Sequence, residues 1–384
     1  MKNIIDKNQS KLLNVGTSIF TIMSKMAVDY NAVNLSQGFP DFDCPDELKA
    51  LVNYYIKNGN NQYAPMPGVP SLRQMISNKI KKLYNSLYNH ESEITITAGA
   101  TQALFTAIST IVRSGDEVII FEPAYDSYAP TVVANGGTPV FIPLIEPDFS
   151  IDWDLVKSSI NSKTRLIIIN SPHNPTGYVI NLADINNLEE ITRGTSIIII
   201  SDEVYEHIVF EGRHISLASS EELAKRTCVI SSFGKTYHTT GWKVGYCAAP
   251  ENLMVEFRKI HQFVVFAVNT PIQLAYSDFM NKEEHYLMLN EFYKKKRDFI
   301  LSRLDESRFK FVKTKGTYFQ LLDYSNISDK NDIVFSEFLT KEKGIAVIPL
   351  SPFYSKENPR RLIRICFAKK DEVLSNAAKI LCNI

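Results

Sequence analysis

Residues 231–245 read Ser231-Ser232-Phe233-Gly234-Lys235-Thr236-Tyr237-His238-Thr239-Thr240-Gly241-Trp242-Lys243-Val244-Gly245. One lysine, Lys235, stands among small residues, and a second cation, Lys243, follows eight positions later. The amine of Lys235 can form an imine with an aldehyde cofactor, while the Ser232 hydroxyl and the Lys243 charge can neutralise a phosphate. The stretch therefore predicts a site for a phosphorylated aldehyde.

Two plainer interpretations compete with this one. A single lysine in a loop is most often a solvated surface residue, and Gly234-Lys235-Thr236 also occurs at the end of nucleotide-binding phosphate loops. Such a loop requires a glycine five positions before Gly234, and Val229 stands there. The nucleotide-loop interpretation is excluded, and the surface interpretation must be weighed against the other motifs.

The 384-residue chain has the composition of an ordinary globular protein. Its 42 basic side chains balance 42 acidic ones, so no overall field favours nucleic acid or an anionic membrane. Its apolar runs are too short to span a bilayer, and its polar N-terminal region lacks a signal-peptide core. The 5 cysteines show no CxxC spacing and the 7 histidines form no HExxH pair. We therefore expect a cytoplasmic protein without a metal, whose partners are small molecules.

Between residues 94 and 249, short β-rich runs alternate with helical patterns. This alternation is typical of crossover units on a mainly parallel sheet. The predicted strands are 94–97, 117–121, 165–170, 196–201, 227–231 and 244–248. Because ligands bind beyond the carboxyl ends of parallel strands, the turns after these strands are the informative positions.

Several of these turns carry side chains that suit a flat, phosphorylated ligand. Small residues around Ala100 and Thr101 open a helix whose positive end favours a phosphate, although such residues also make ordinary tight turns. Tyr125 can stack on a ring or simply pack. Asn174, which precedes a proline, can bond a ligand or merely shape the turn. Each of these residues alone is weak evidence for a ligand site. Because all of them are expected at the same edge of the sheet, together they predict one ligand site there.

Asp202 follows the apolar run 196–201 and is expected to end a buried central strand. A buried carboxylate is costly unless a cation or a proton meets it. One interpretation is an N-cap for the next helix, and the other is a salt bridge to a protonated pyridine nitrogen. The residues alone leave both open.

Three motifs together form a family pattern: Asn174-Pro175-Thr176-Gly177, Asp202-Glu203-Val204-Tyr205 and Ser232-Phe233-Gly234-Lys235. With them, the chain resembles the pyridoxal-phosphate-dependent aminotransferases of fold type I, class I/II, from residue 34 to residue 368. Residues 62–68 and 231–250 are most similar to the bacterial methionine aminotransferases, a group related to kynurenine and glutamine aminotransferases.

The resemblance implies an α/β fold whose large domain, residues 40–275, carries a mainly parallel seven-stranded sheet. Residues 1–39 are then an N-terminal arm and small-domain segment, and residues 276–384 form a smaller α+β domain. The charged stretch 278–303 has a helical period, which predicts one long helix linking the two domains.

The resemblance also assigns roles around the cofactor, pyridoxal 5'-phosphate. It implies that Lys235 forms the imine and later moves the substrate α-proton. Asp202 is expected to keep the pyridine nitrogen protonated, so that the ring acts as an electron sink. Asn174 and Tyr205 are expected to bond the ring oxygen O3', and Tyr125 to stack on the ring.

For the phosphate, the resemblance implies contacts from Ser232, Lys243, Thr101 and the amides of Ala100 and Thr101. Tyr63 is expected to reach the phosphate from the neighbouring subunit. The resemblance therefore implies a homodimer with shared active sites.

For the substrate, the resemblance implies that Arg364 grips the α-carboxylate with its planar fork. Gly38 and Asn174 are expected to help it, and Phe20 and Phe266 to contribute to the side-chain pocket. The β-rich run 362–367 is apolar apart from this arginine, so Arg364 is expected to be buried. A buried arginine requires a partner for its charge, which makes an ordinary surface role for Arg364 unlikely.

The function expected from the resemblance is ping-pong transamination. Methionine or another apolar or aromatic amino acid donates its amino group to a 2-oxo acid. The alternatives are a cysteine-conjugate or cystathionine β-lyase, which shares the first chemical step, and a kynurenine or glutamine aminotransferase. A cofactor-sensing regulator is disfavoured, because residues 1–35 leave no room for a DNA-binding domain.

Overall fold

The structure is a computed structural model that describes residues 10–13, 15–357 and 359–384. The helices of these residues are α1 (Ile19–Asp29), α2 (Asp46–Lys57), α3 (Pro70–Tyr84), α4 (Ala100–Ile111), α5 (Tyr128–Ala134), α6 (Trp153–Ser159), α7 (Leu182–Thr192), α8 (Glu221–Ala224), α9 (Phe233–Thr236), α10 (Glu251–Val264), α11 (Thr270–Phe279), α12 (Glu284–Leu287), α13 (Leu289–Leu304), α14 (Asp332–Glu342) and α15 (Asp371–Cys382). The strands are β1 (Val33–Asn34), β2 (Ile94–Thr97), β3 (Glu117–Glu122), β4 (Thr138–Pro143), β5 (Thr164–Asn170), β6 (Ile198–Asp202), β7 (Thr227–Ser232), β8 (Gly245–Ala248), β9 (Phe319–Asp323), β10 (Ile345–Ala346), β11 (Ile348–Pro349) and β12 (Leu362–Cys366).

The central sheet has seven strands in the order β2-β8-β7-β6-β5-β3-β4. Strand β8 is antiparallel to both neighbours, and the other pairs are parallel. The predicted α/β fold with a mainly parallel seven-stranded sheet is confirmed. The six strands predicted from the sequence are all present, and their ends differ from the prediction by no more than two residues.

Helices cover both faces of this sheet, which explains the long apolar runs in β3, β5 and β6. Ile168 and Ile200 pack on one face with residues of α4, α5 and α10. Ile167 and Ile199 pack on the other face with residues of α6 and α7. This packing fixes the carboxyl ends of β5, β6 and β7, from which the site is built.

A second, smaller sheet contains β11, β12 and β9 in antiparallel order. Helices α13, α14 and α15 pack against it in one hydrophobic cluster. Strand β1 pairs in parallel with β10, so residues before position 40 contact the C-terminal part of the chain. The predicted arm also includes residues 1–9, which lie outside the described residues. The predicted limit at 275 falls within α11, and the domain limits stay a prediction.

The prediction of one long helix over 278–303 is wrong. Helix α11 ends at Phe279, α12 is a single turn, and α13 begins at Leu289. Phe279 and Tyr286 are buried in the cluster beside α3, whereas Leu289 belongs to the cluster of the smaller sheet. The chain breaks its helix because consecutive segments bury their apolar side chains in different cores.

Candidate active site

Lys235 lies on the short helix α9, directly after β7. Its Nζ donates to the carbonyl oxygen of Gly38 over 3.0 Å and to the hydroxyl of Tyr318 over 2.9 Å. Burial lowers the pKa of Lys235 to about 8, and the positive charges of Arg364 and Lys243 act in the same direction. A lysine in this state is neutral for part of the time near neutral pH and can then act as a nucleophile or a base.

Tyr205 follows β6 and is buried beside this lysine. The Lys235 Nζ lies 5.7 Å from the centroid of the Tyr205 ring. Burial raises the pKa of the Tyr205 phenol, so the hydroxyl stays protonated and available as a hydrogen-bond donor.

Asp202 ends strand β6 and is buried. The Tyr128 hydroxyl donates to its Oδ2 over 2.6 Å, and the backbone N–H of Val204 lies 3.4 Å from Oδ1. Burial raises the pKa of Asp202 to about 6. Among the described residues, the carboxylate therefore has hydrogen-bond donors but no cation in contact, a setting that suits a cationic ligand group.

Asn170 and Asn174 form a second polar link at the same sheet edge. The Asn170 side chain donates to the carbonyl oxygen of Asp202 over 2.9 Å and accepts from the Asn174 N–H over 2.8 Å. The Asn174 Oδ1 in turn accepts from the Arg364 guanidinium over 2.8 Å. This chain of contacts joins the backbone of Asp202, at the end of β6, to the arginine of β12.

Arg364 is only 1% exposed. Besides Asn174 it contacts the carbonyl oxygen of Ser36 over 3.3 Å, while its Nε has no hydrogen-bond partner among the described residues. The centroids of the Phe319 and Phe20 rings lie 3.9 and 5.2 Å from its guanidinium carbon. Burial lowers its pKa to about 10. A buried guanidinium with spare donors is suited to a carboxylate ligand.

A cradle for an anion lies where α4 begins. Gly99 caps this helix with a φ of 78°, and a Cβ there would lie 3.3 Å from the Lys243 Nζ. The missing side chain keeps the space between the helix start and the ammonium open. The Thr101 and Tyr125 hydroxyls lie 3.4 Å apart beside it, and Ser232 ends the neighbouring strand β7.

One cavity of about 740 Å³ is lined by both groups of polar residues, those near Lys235 and those of the anion cradle: Lys235, Tyr205, Asp202, Asn170, Asn174, Arg364, Gly99, Thr101, Tyr125, Ser232 and Lys243. Ala100 and Phe20 line it as well, so every predicted site residue except Tyr63 and Phe266 faces the same cavity. Tyr63 is 83% exposed, and its ring centroid lies 5.4 Å from that of Phe266. These two residues are adjacent to each other but do not line the cavity of their own chain.

Sequence reasoning missed the contacts made by Tyr128 and Tyr318. Tyr128 stands three positions after Tyr125 at the mouth of the sheet, so its position at a strand end was a usable signal. Tyr318 had no such signal, because it contacts Lys235 across 83 positions of the chain.

The geometry fits pyridoxal phosphate. The Gly99 cradle suits its phosphate, the buried Asp202 carboxylate suits a protonated ring nitrogen, and the Lys235 amine suits its aldehyde. A fold of this topology with these groups around one cavity defines a pyridoxal-phosphate enzyme of fold type I.

The chain belongs to the class I and II aminotransferases, because the family model "Aminotransferase class I and II" matches residues 30–381. Its cofactor is pyridoxal phosphate. When bound, this group supplies an electron sink for negative charge at the substrate Cα. The predicted family, cofactor and amino-transfer activity are confirmed.

Relatives in known proteins lie across this family. The chain is 49% identical over 375 residues to the methionine aminotransferase of Escherichia coli, covering 97% of both chains. It is 35% identical to a probable N-succinyldiaminopimelate aminotransferase of Mycobacterium tuberculosis, again covering 97% of each. It is 34% identical to human kynurenine–oxoglutarate transaminase 3, covering 97% of this chain and 89% of the relative.

Solved aminotransferase structures have the same fold as this chain. The crystal structure of YbdL from Escherichia coli, identified by structure and reactivity as a methionine aminotransferase, matches with a TM-score of 0.96 and 48% identity over 99% of this chain and 100% of that one. The N-succinyldiaminopimelate aminotransferase structure from Mycobacterium tuberculosis matches with a TM-score of 0.94 and 35% identity over 97% and 99% of the two chains.

The described residues contain no helix long and apolar enough to cross a membrane. Within the same ranges, no group of three histidine, cysteine or acidic side chains is arranged to hold a metal ion.

Proposed function

We propose that this aminotransferase takes its amino group from methionine and from other apolar or aromatic amino acids. The donor leaves as its 2-oxo acid before a second oxo acid binds. The observation that carries the proposal is the composition of the cavity: the Arg364 fork and the Lys235 amine face walls that include Phe20, Phe39 and Leu104. The 49% identity to a methionine aminotransferase supports it.

The proposal includes a role for each polar group. Lys235 holds the cofactor and, once released, moves the α-proton. Asp202 pairs with the protonated ring nitrogen, and Asn174 and Tyr205 hydrogen-bond the ring oxygen. Tyr125 stacks on the ring.

The remaining groups hold the two anions. Ser232, Lys243, Thr101 and the N–H groups of Ala100 and Thr101 hold the cofactor phosphate. Arg364, supported by Asn174 and the Gly38 backbone, holds the substrate carboxylate, which is why a buried guanidinium with an unpartnered Nε is tolerated.

A single-turnover experiment tests the donor preference. Cofactor-loaded enzyme is mixed with methionine, phenylalanine, glutamine, kynurenine or aspartate in the absence of an oxo acid, and loss of the absorbance of the lysine-bound cofactor is followed. We expect methionine to react at least about tenfold faster than aspartate. The side-chain carboxylate of aspartate would lose its water against the apolar wall and gain no partner there. A faster reaction with aspartate or kynurenine would contradict the proposal. Ammonia and pyruvate released from a cysteine conjugate, without amino transfer, would indicate the β-lyase instead.

We further propose a homodimer in which Tyr63 and Phe266 complete the partner's cavity. This aromatic pair is exposed, and so is Phe263, three positions before Phe266, at 86%; exposed aromatic side chains of this kind suit an interface between copies of the chain. The exposure of Tyr63 also fits a hydroxyl that contacts a phosphate in another subunit.

Subunit mixing tests this arrangement. Lys235→Ala and Tyr63→Ala are each expected to be nearly inactive alone. After the two are dissociated together and reassembled, about a quarter of the wild-type activity is expected, because one site of each mixed dimer receives both intact residues. If Tyr63 served its own chain, mixing would restore nothing.

We propose the cytoplasm as the compartment of this enzyme. The cysteines among the described residues are free thiols, and all but Cys382 are buried. Free thiols fit a reducing compartment. Fractionation of the native host with activity assays tests the proposal, and activity in a secreted fraction would contradict it.

A further inference from the structure

The hydroxyl of Tyr318 bridges Lys235 and Gly38. It donates to the carbonyl oxygen of Gly38 over 2.6 Å and accepts from the Lys235 Nζ over 2.9 Å. Nζ itself reaches the same carbonyl over 3.0 Å, so the three groups form a closed triangle. Tyr318 is completely buried, directly before β9.

The hydrogen atoms in this triangle can be assigned one by one. The single Tyr318 proton goes to Gly38, so the phenol oxygen is an acceptor where it meets Nζ. A neutral amine has two N–H donors and one lone pair. Gly38 and Tyr318 accept from the two N–H groups, so the lone pair of Nζ makes no contact with either of them. Because Lys235 lines the cavity, this lone pair is available to a ligand there.

The backbone before Tyr318 is held in an unfavourable conformation. Thr317 has a φ of 65°, in the left-handed region that β-branched residues rarely adopt. Its N–H donates to the Ile208 carbonyl over 2.9 Å, and its Oγ1 accepts from the Phe319 N–H over 3.2 Å. Such a conformation persists only where surrounding contacts enforce it. Its effect here is to fix the direction of Tyr318.

Gly38 is fixed from the opposite side. A Cβ at this position would lie 2.9 Å from the Cζ of Phe319, so the Gly38 backbone packs directly on the tip of that ring. The carbonyl that receives both the Tyr318 hydroxyl and the Lys235 amine is therefore held in place. The Tyr318 hydroxyl and the Gly38 carbonyl are thus both held by their surroundings, and the flexible Lys235 side chain binds to these two groups.

We propose that Tyr318 is a positioning residue, which holds the released Lys235 amine so that its lone pair faces the substrate α-carbon. The inference rests on the proposed role of Lys235 in proton transfer. In that step the Cα–H bond breaks, its electron pair stays on the substrate side, and the proton forms a third N–H bond on Nζ. Tyr318 takes up no proton in this step and only orients the base.

The test compares Tyr318→Phe with the matched control Tyr293→Phe. Tyr293 is also completely buried, its ring centroid lies 5.6 Å from that of Tyr318, and its hydroxyl has no hydrogen-bond partner among the described residues. Both variants lose one buried hydroxyl, but only one of them loses a contact to Lys235.

For Tyr318→Phe with methionine we expect kcat to fall about tenfold, KM to change less than about twofold, and the α-deuterium isotope effect on kcat to increase. In the apoenzyme, the pKa of Lys235, measured from the pH dependence of its labelling by an amine reagent, is expected to fall by about one, since the ammonium loses a hydrogen-bond acceptor. Tyr293→Phe is expected to leave all four quantities at their wild-type values.

The inference is overturned if Tyr318→Phe keeps the wild-type kcat and isotope effect, or if Tyr293→Phe reproduces its losses. Lys235→Ala separates this result from the proposed function. If that variant retains turnover, the role of Lys235 itself is wrong. If it is inactive while Tyr318→Phe behaves as wild type, only the positioning role fails.

Discussion

The hydroxyl of Tyr128 donates to Oδ2 of Asp202 over 2.6 Å, and both side chains are buried. Burial raises the pKa of Asp202 to about 6, while this hydrogen bond acts in the opposite direction. Tyr128 therefore favours the ionised carboxylate that a protonated ring nitrogen requires.

Tyr128→Phe is expected to weaken cofactor binding about tenfold, the effect of one lost charge-assisted hydrogen bond. The substitution raises the pKa of Asp202 further, and the ionised form predominates only above that pKa. The loss should thus be larger at about pH 6 than at about pH 8. Titration of the apoenzyme with pyridoxal phosphate at both pH values measures it. An equal loss at the two values would show that Tyr128 acts only through packing.

Asp202→Asn is expected to stabilise the apoenzyme while reducing turnover at least about 100-fold. A pKa raised from 3.8 to about 6 means that the folded state holds this proton more tightly than the unfolded state. Ionising Asp202 therefore costs stability, by about 2 to 3 kcal/mol above pH 6, and this cost disappears below about pH 4. Urea unfolding of both apoproteins across this range checks the prediction. A stability gain that persists at about pH 4 would contradict it.

The first half-reaction is expected to speed up as the pH rises towards about 8 and then to level off, because Lys235 accepts a proton only when it is neutral. Its pKa is lowered, so the neutral form dominates above about 8. Single-turnover rates with methionine across the pH range measure this profile. A rate that falls through the same range would assign the base to another group.

Arg364→Lys is expected to raise the KM for methionine about 100-fold, since an ammonium cannot replace a bidentate fork. The control is Arg297→Lys, a buried arginine that donates to the Thr314 carbonyl over 2.7 Å outside the cavity. It should lower thermal stability and leave KM unchanged. If both variants raised KM alike, the higher KM of Arg364→Lys would come from a disturbed fold and not from a lost carboxylate contact. Steady-state kinetics and melting temperatures of the two variants decide.

The sequence predicted the strands that carry the site because they are buried on both faces and read as continuous apolar runs. It missed β4, whose Pro139 and Pro143 argue against a central strand. Among the described strands, β4 lies at the sheet edge and pairs with β3 alone, so a proline whose nitrogen faces outward costs no shared hydrogen bond. Edge position is a tertiary property, so residue patterns do not reveal it.

The site itself could be predicted where residue type and strand end coincide, as for Asp202 and Lys235. Contacts that depend on packing could not. The triangle of Lys235, Gly38 and Tyr318 joins three segments that are distant in the sequence. It also depends on the left-handed backbone of Thr317, which cannot be predicted from the sequence because threonine rarely adopts that conformation. The roles of Tyr63 and Phe266 are predicted from the family resemblance alone, because a contact between subunits leaves no pattern in the sequence of one chain.

Gly99→Ala is expected to raise the dissociation constant for pyridoxal phosphate at least about tenfold. Two effects combine at this position: the φ of 78° disfavours any side chain, and a Cβ would intrude to 3.3 Å from the Lys243 Nζ. Gly59→Ala separates them, because Gly59 has a φ of 81° and nothing within 4 Å of its Cβ position. Both variants should lose about 1 kcal/mol of stability, but only Gly99→Ala should lose cofactor affinity. Equilibrium titration of the two apoproteins, alongside urea unfolding, provides both measurements. Unchanged affinity in Gly99→Ala would place the phosphate elsewhere in the cavity.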